Sequence, residues 1–282
     1  MTNTIKVKRL DLQHPEAPGN KYFKLKYNLI KAQEKSADRI VTVGGPFSNH
    51  LHATASACQK AGIPCVGLVH GSRPQRLSPT LNDCEAWGME LVFIEREWFA
   101  LRNSESFKQW VHEEYRFCHF IPEGGSNFLG INGCMEILDD EDKDADVIAV
   151  SVGTGTTLAG ILLSAKQGQR ILAFPALKDE SLPARLQQQL LWALFDEELA
   201  QELSKRVEWI WDYTFGGFAK CPPELQSFMH QKAQAGLPLD RVYTAKMMFG
   251  LEDFLKQGKL ASAESILAIH TGGLQGNRPV GE

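Results

Sequence analysis

The sequence predicts an α/β fold with two three-layer domains, each with a mainly parallel sheet between layers of helices. Short apolar runs alternate with longer amphipathic segments, and glycine-bearing turns separate them. This alternation is typical of parallel strands joined by right-handed helical crossovers. The length of 282 residues is sufficient for two well-buried cores. Ligands in such folds bind at the carboxyl ends of strands, so the turns after the strands are where we expect a site.

Continuous apolar runs predict the strands, and apolar residues at helical spacing predict the helices. The predicted strands are 39–43, 64–69, 90–94, 146–152, 171–174, 207–211 and 265–269. The predicted helices are 50–61, 79–87, 104–115, 157–165, 182–205 and 222–234. No low-complexity linker separates the domains, which indicates that one is inserted in the other. We expect a larger domain of residues 1–35 and 134–282 and a smaller domain of residues 36–133.

Composition excludes several classes of partner. The net charge is −4 and no long basic run occurs, so neither nucleic acid nor an anionic membrane surface is expected. No stretch reaches the ~20 apolar residues of a membrane span. The six cysteines lack CxxC or metal-ligand spacing, which indicates reduced thiols in a cytoplasmic protein. The acidic run at 139–142 is interpreted as a solvated helix end and loop, and no metal site is predicted.

The first unusual turn is Gly19-Asn20-Lys21, which precedes a helical pattern. Asn20 is suited to cap that helix. Lys21 then lies at the positive end of the helix dipole, which lowers the pKa of its ammonium group. A lysine with a lowered pKa is the type that forms Schiff bases. The alternative is that Lys21 is one of several solvated lysines.

The second turn, Gly44-Gly45-Pro46-Phe47-Ser48-Asn49-His50, follows the strand at 39–43. Its glycines allow close approach of a ligand to the backbone. Ser48 and Asn49 stand at a helix start, where free amides suit a carboxylate or another anion. The simpler interpretation is that one of these two residues only caps the helix.

The third turn follows the strand at 146–152 and consists of Gly153, Thr154, Gly155, Thr156 and Thr157. Small residues, hydroxyl groups and a helix start together are typical of a phosphate-binding loop. The turn lacks the lysine of a Walker sequence, and its glycine spacing differs from that of dinucleotide-binding turns. The alternative is a flexible strand–helix connection. A phosphate loop, a Schiff-base lysine and a carboxylate-binding turn together predict pyridoxal phosphate holding an amino acid.

At these turns the chain resembles the D-cysteine desulfhydrase and 1-aminocyclopropane-1-carboxylate (ACC) deaminase family. That family belongs to the tryptophan-synthase-β-like pyridoxal enzymes, and the resemblance runs from about Val7 to the C-terminus. Its segments here are Lys8-Arg9-Leu10-Asp11, Gly19-Asn20-Lys21, Gly44-Gly45 with Ser48-Asn49-His50, Ile121-Pro122-Glu123-Gly124-Gly125-Ser126-Asn127, Leu239-Asp240-Arg241-Val242-Tyr243-Thr244-Ala245-Lys246 and His270-Thr271-Gly272-Gly273. The resemblance implies a cofactor in the cleft between two domains, and a homodimer.

The resemblance also implies roles for single residues. Lys21 would carry the cofactor and then act as base. Asn49 would hydrogen-bond the cofactor's phenolic oxygen, and Ser48 would bind the substrate carboxylate or help to move protons. His50 replaces a glutamine that is usual in ACC deaminases. Contact of His50 with substrate and simple packing at the helix start both stay open. His52 has no partner pattern in the sequence and is interpreted as a surface residue.

In the same resemblance, the loop from Gly153 to Thr157 would hold the phosphate. Tyr243 would lie near the reacting carbon, and Thr244 would face the pyridine nitrogen. ACC deaminases carry a glutamate in place of Thr244 and a second tyrosine in place of Phe218, which we expect to line the substrate site.

These two differences favour one reaction. A carboxylate beside the pyridine nitrogen keeps it protonated and makes the ring a strong electron sink, and a threonine holds that proton less firmly. Phe218 also removes a hydroxyl group. We therefore predict β-elimination from a small D-amino acid, giving ammonia and pyruvate, ahead of ACC ring opening. Racemisation or dehydration of serine, and a non-catalytic pyridoxal-binding protein, are the further alternatives.

Overall fold

The computed structural model describes residues 5–14, 17–260 and 264–278. Its strands form two sheets in which every pairing is parallel. The strands are β1 (Ile5–Arg9), β2 (Arg39–Gly44), β3 (Cys65–His70), β4 (Met89–Ile94), β5 (Cys118–Ile121), β6 (Val147–Val152), β7 (Arg170–Pro175), β8 (Val207–Trp209) and β9 (Ile266–His270). The larger sheet has the order β1-β9-β6-β7-β8, and the smaller sheet has the order β4-β3-β2-β5.

Helices connect the strands, as right-handed crossovers require. The helices are α1 (Asn20–Glu34), α2 (Asn49–Ala61), α3 (Pro79–Ala86), α4 (Arg96–Ala100), α5 (Glu105–Glu114), α6 (Phe128–Cys134), α7 (Thr156–Ser164), α8 (Leu182–Leu194), α9 (Glu197–Ser204), α10 (Pro223–Gln234) and α11 (Thr244–Lys256). Short 3-10 turns occur at Leu10–Leu12, Glu123–Gly125, Asp142–Asp144 and Leu274–Asn277.

The single helix predicted at 182–205 is wrong, because the chain breaks there into α8 and α9. Phe195 ends α8 in the left-handed region with a φ of 54°. Asp196 then caps α9, and its side chain accepts a hydrogen bond from the amide of Leu199 at 3.0 Å. An aspartate competes for backbone amides in this way, so it favours a new helix start over continuation.

The larger sheet is covered on both faces. All six residues of β6 are buried, which explains why its sequence is a continuous apolar run. One apolar cluster packs α7 and α8 against one face, and a second packs α11 against the other. Strand β9 lies between β1 and β6, although β1 and β9 are at opposite ends of the chain. The predicted three-layer arrangement is confirmed for this sheet.

The four strands of the smaller sheet come from one continuous stretch, residues 39–121. Two apolar clusters cover its faces, with α2 and α3 on one side and α5 on the other. Strands β1 and β5 were not predicted. Strand β1 is an edge strand of five residues in which lysines alternate with apolar residues, so it has no continuous apolar run, and β5 is only four residues long.

The prediction that the acidic run at 139–142 is solvated is wrong for Asp142. This residue is 1% exposed and forms ion pairs with Lys6 and with the largely buried Lys8. These pairs attach the 3-10 turn to β1. In the part of the chain that the structure describes, no helix combines the length and apolar character needed to span a membrane.

Candidate active site

Helix α1 brings Lys21 to the carboxyl end of the larger sheet. The helix is capped by Gly19, not by Asn20, so the predicted cap is wrong by one residue. Gly19 has a φ of 82°, and a β-carbon there would lie 2.2 Å from the carbonyl oxygen of Thr271. The amide of Asn20 donates to that same oxygen at 3.1 Å. The segment after β9 therefore fixes where α1 begins, and only glycine fits at the contact.

The Lys21 ammonium group has a pKa lowered to about 7. Burial is the largest cause, and the charge of Lys24, one turn further along α1, is the next. The lowered pKa was predicted, but its main cause is desolvation, which the sequence did not show. Lys21 Nζ donates to Asn20 Oδ1 at 2.9 Å, and Asn20 Nδ2 donates to Thr157 Oγ1 at 2.8 Å. Asn20 therefore links the lysine to the third turn.

The second turn lies between β2 and α2. Ser48 caps α2, and its Oγ accepts from the amides of His50 and Leu51, each at 3.2 Å. In the cap the side chain of Ser48 acts only as an acceptor, so its hydroxyl proton is able to form a hydrogen bond with a ligand. Asn49 Oδ1 accepts a hydrogen bond from Gln275 Nε2 at 2.7 Å. The other atom of this side-chain amide, Nδ2, is therefore able to donate a hydrogen bond to a ligand.

His50 is 2% exposed and points back to the smaller sheet. Its Nε2 lies 2.8 Å from Thr42 Oγ1, and its Nδ1 has no hydrogen-bond partner among the described residues. Burial, followed by the charges of Lys21 and Lys24, lowers the pKa of His50 well below its ordinary value. His50 is therefore a neutral side chain with one unfilled polar atom.

The third turn begins after β6. Thr156 and Thr157 start α7, so their amides have no intrahelical acceptor. Thr154 Oγ1 lies 3.1 Å from Thr156 Oγ1, and Gly155 has a φ of 94°. Hydroxyl groups and free amides therefore meet here, as the sequence predicted.

Gln189 of α8, which is 1% exposed, holds the third turn in place. Its Nε2 donates to the carbonyl oxygen of Thr154 at 2.9 Å and to Ser126 Oγ at 2.8 Å. Ser126 belongs to the glycine-rich bend after β5. A β-carbon on Gly124 of that bend would lie 2.8 Å from Thr154 Cγ2. The bend and the third turn are therefore in direct contact.

Tyr243 lies over the start of the third turn, because a β-carbon on Gly153 would be 3.0 Å from Tyr243 Cε1. Burial, and next the charges of Asp240 and Glu123, raise the pKa of Tyr243. Its phenol therefore stays protonated. The ring of Phe218 packs edge-on against Tyr243 with 6.3 Å between centroids. The structure thus brings these two predicted residues together.

Thr244 is fully buried and bound to Asp240. Its Oγ1 donates to Asp240 Oδ1 and accepts from the Asp240 amide, each at 2.8 Å. The other oxygen of Asp240 accepts from the amides of Val242 and Tyr243. The hydroxyl proton of Thr244 is therefore held by a carboxylate, and one lone pair of its oxygen is left.

Five residues of the site were not predicted. Lys24 could have been found from its position three residues after Lys21, on the same side of α1. Asp240 is only four residues from Thr244, but its hydrogen bond to that residue depends on the backbone conformation before α11. The other three depend on contacts between distant segments and left no local signal. These residues are Lys24, His52, Gln189, Asp240 and Gln275.

The interpretation of His52 as a surface residue is wrong. It is 7% exposed, its Nε2 lies 2.8 Å from Asp83 Oδ2, and it lines a small recess with Lys21 and Asn49. Asp83 also accepts from Arg278 at 2.6 Å. The C-terminal segment therefore contacts the smaller sheet's helices through Arg278 as well as through Gln275.

Comparison with known proteins identifies the class of this site. The family model described as "Pyridoxal-phosphate dependent enzyme" matches residues 2–272, and the chain belongs to that family. The chain is 31% identical to a Pyrococcus horikoshii protein provisionally assigned as an ACC deaminase, over 99% of this chain and 87% of the relative.

A second relative is the mitochondrial bifunctional D-cysteine desulfhydrase/ACC deaminase of Arabidopsis thaliana. The identity is 30%, over 96% of this chain and 72% of the relative. A crystal structure of an ACC deaminase homologue superposes with a TM-score of 0.78 and 30% identity, covering 96% of this chain and 84% of that chain. The protein is a pyridoxal-phosphate-dependent enzyme, and the predicted fold class is confirmed.

The residues present fit this cofactor. Lys21 and Lys24 are buried lysines without an ion pair to any described carboxylate, so their amines are able to bind a ligand that carries an aldehyde and a phosphate group. The free backbone amides of Thr156 and Thr157 also suit a phosphate group, because helix starts bind anions. Lys21 has the lowered pKa that covalent attachment of an aldehyde requires. Asn49 Nδ2 offers a donor beside it.

Proposed function

We propose that the protein catalyses β-elimination from a small D-amino acid similar to D-cysteine. With water, D-cysteine would give pyruvate, ammonia and hydrogen sulfide. The observation that carries this proposal is Lys21, a buried lysine with a pKa near 7 that adjoins the predicted phosphate loop. Such a lysine is substantially neutral at neutral pH, so it is able to bind the cofactor and later to accept a proton.

The chain's own residues support each step of that reaction. The backbone amide of Asn49 and the hydroxyl of Ser48, at the start of α2, would bind the substrate carboxylate. Bound pyridoxal phosphate would withdraw electrons from the α-carbon. Lys21 would remove the α-proton. Tyr243, whose phenol stays protonated, would donate a hydrogen bond near the reacting carbon.

Cofactor binding would involve further residues. We propose that Gly153 to Thr157 hold the phosphate and that Asn49 Nδ2 donates to the phenolic oxygen. Thr244 would face the pyridine nitrogen, with the carboxylate of Asp240 behind it. The D configuration of the substrate follows the Arabidopsis relative, whose name includes D-cysteine desulfhydrase.

ACC deamination is the alternative, because the same relative also carries that activity in its name. We rank it second on the basis of Phe218 and Thr244. Phe218 packs against Tyr243 in a T-shaped arrangement, at a position where a second tyrosine would add a hydroxyl group. Opening a ring that has no α-hydrogen depends more on such groups than loss of a thiol after α-proton removal does.

Steady-state assays with D-cysteine, L-cysteine, D-serine and ACC test this order. We expect the highest kcat/KM with D-cysteine, and loss of both turnover and visible cofactor absorbance in Lys21→Ala. Phe218→Tyr should raise the activity on ACC relative to D-cysteine. Turnover of ACC alone would reverse the ranking. Cofactor binding without ammonia release from any of these compounds would favour the non-catalytic alternative.

We further propose that the protein acts in the cytoplasm as a homodimer, with residues 36–133 as its smaller domain. The scattered thiols support a reducing compartment, since none of the described cysteines is in a disulfide. The homodimer follows the resemblance to the family. Light scattering during size-exclusion chromatography would test it, and a mass near that of one chain would contradict it.

A further inference from the structure

His50 has an unfilled polar atom in the predicted site. The side chain is 2% exposed, and Nδ1 has no hydrogen-bond partner among the described residues. Buried polar atoms are nearly always hydrogen-bonded, because an unfilled one costs free energy. Those left unfilled in a site are therefore candidates for contact with a ligand.

Neighbouring hydrogen bonds determine which nitrogen of His50 carries the proton. Thr42 Oγ1 lies 2.8 Å from the carbonyl oxygen of Ile121, and a carbonyl oxygen only accepts, so the Thr42 hydroxyl donates there. Because its proton is used there, Thr42 Oγ1 is an acceptor in its contact with His50, and His50 Nε2 must donate to it at 2.8 Å. The proton of the neutral ring is thus on Nε2, and Nδ1 presents a lone pair.

The surroundings keep this lone pair available. Burial and the charges of Lys21 and Lys24 disfavour a second proton on the ring. Neither lysine is hydrogen-bonded to Nδ1. The glycine-rich bend approaches the ring edge, where a β-carbon on Gly125 would lie 3.6 Å from Cε1. His50 is therefore a fixed acceptor close to the lysine that would carry the cofactor.

The cofactor cannot fill this acceptor. Its phosphate and phenolic oxygens are acceptors themselves, and so is the substrate carboxylate. Its pyridine nitrogen, which is a donor when protonated, would face Thr244. The substrate's amino group would be joined to the cofactor. The donor that is left on a small amino acid is an S–H or O–H group on the β-carbon.

We propose that His50 Nδ1 accepts a hydrogen bond from the thiol or hydroxyl on the substrate's β-carbon and thereby selects substrates with a protic β-substituent. This inference rests on the proposed β-elimination and specifies its substrate class. The lone pair favours the neutral thiol over the thiolate. The Cβ–S electron pair then leaves with a sulfur that keeps its proton, as hydrogen sulfide ion, while Lys21 takes the α-proton.

The test compares D-cysteine and D-serine with β-chloro-D-alanine, which undergoes the same elimination but has no donor on its leaving group. His50→Leu should raise KM for D-cysteine and D-serine roughly tenfold, the loss expected for one hydrogen bond. The KM for β-chloro-D-alanine should stay within about twofold. His50→Gln, which restores an acceptor oxygen, should recover most of the loss. Equal losses on all three substrates would overturn the inference.

A second measurement does not depend on turnover. In ¹⁵N-histidine-labelled protein, His50 Nδ1 should resonate as an unprotonated nitrogen, and it should shift when D-serine is added to the cofactor-loaded protein. Thr42→Val should disturb this tautomer, and Thr42→Ser should retain it. A protonated Nδ1 in the wild type, or no shift with D-serine, would overturn the inference. Absence of turnover with every substrate would instead reject the proposed reaction.

Discussion

The side chain of Asn20 donates to Thr157 Oγ1 at 2.8 Å and so joins helix α1 to the start of helix α7. Its other amide atom accepts from Lys21 Nζ at 2.9 Å. One buried asparagine therefore sets the distance between the predicted cofactor lysine and the predicted phosphate loop. No other residue contacts both groups in this way among those that the structure describes.

Asn20→Ala should therefore weaken cofactor binding without unfolding the protein. The variant loses the hydrogen bonds of Asn20 to Lys21 and to Thr157. This loss corresponds to about 1–3 kcal/mol, or roughly 5- to 150-fold in affinity for the cofactor. Titration of the cofactor-free protein with pyridoxal phosphate measures this. Asn82→Ala, on the exposed side of α3, is the control. Equal affinities for the two variants would show that Asn20 has no positioning role.

Capture of pyridoxal phosphate by the cofactor-free protein should depend on pH with a midpoint near 7. The neutral amine is the reactive form, and the pKa of Lys21 is about 7, so the rate should rise as the pH increases through that value. Lys24→Met removes a cation that lowers this pKa. The pH midpoint of cofactor capture by this variant should therefore be higher than that of the wild type. Rapid-mixing absorbance measurements would show this, and an unchanged midpoint in Lys24→Met would contradict it.

Thr244→Val should destabilise the protein because it removes both hydrogen bonds to Asp240. One of them is to a carboxylate, and the amide of Asp240 would be left unsatisfied. We expect a loss of about 2–4 kcal/mol in the free energy of unfolding. Thr244→Ser keeps both bonds and loses only a methyl group, about 1 kcal/mol. Urea unfolding separates the two variants, and equal losses would show that the hydroxyl contributes little.

Lys246 is a buried cation that holds the loop preceding Phe218. Its Nζ donates to the carbonyl oxygens of Ala176, Thr214 and Gly217 at 2.7, 2.9 and 2.6 Å. Lys246→Met would remove all three of these hydrogen bonds, so the loop should open and Phe218 should move away from Tyr243. We expect faster proteolysis at this loop and a lower kcat. Lys256→Met, at the exposed end of the same helix, should change neither.

The sequence was sufficient to predict the alternation of strands and helices, and it located the three turns that meet at the site. Buried parallel strands and helix starts carry local signals, as in β6 and at Ser48. Contacts between distant segments carry none. His52 was misjudged because its partner Asp83 is 31 residues away. The break at Phe195 was missed because the helical pattern of apolar residues continues beyond it.

The same limit applies to the chemistry of the site. The role of Lys21 was predicted from its turn, but the burial that lowers its pKa depends on how α1 packs. For Thr244, the sequence predicted a hydroxyl group facing the pyridine nitrogen and no carboxylate beside it. The backbone conformation before α11 places Asp240 against it, and residue identities alone do not reveal that contact.

The position of β9 has a consequence for how the protein is made. The ribosome synthesises β9 after all the other strands that the structure describes, yet this strand separates β1 from β6 in the larger sheet. The smaller sheet, which needs only residues 39–121, is able to form while the rest of the chain is still being translated. Strand β1 pairs with β9, which is about 260 residues away in the sequence, and pairing between such distant segments slows folding. Newly made chains therefore expose the unpaired edges of β1 and β6 until β9 has been synthesised.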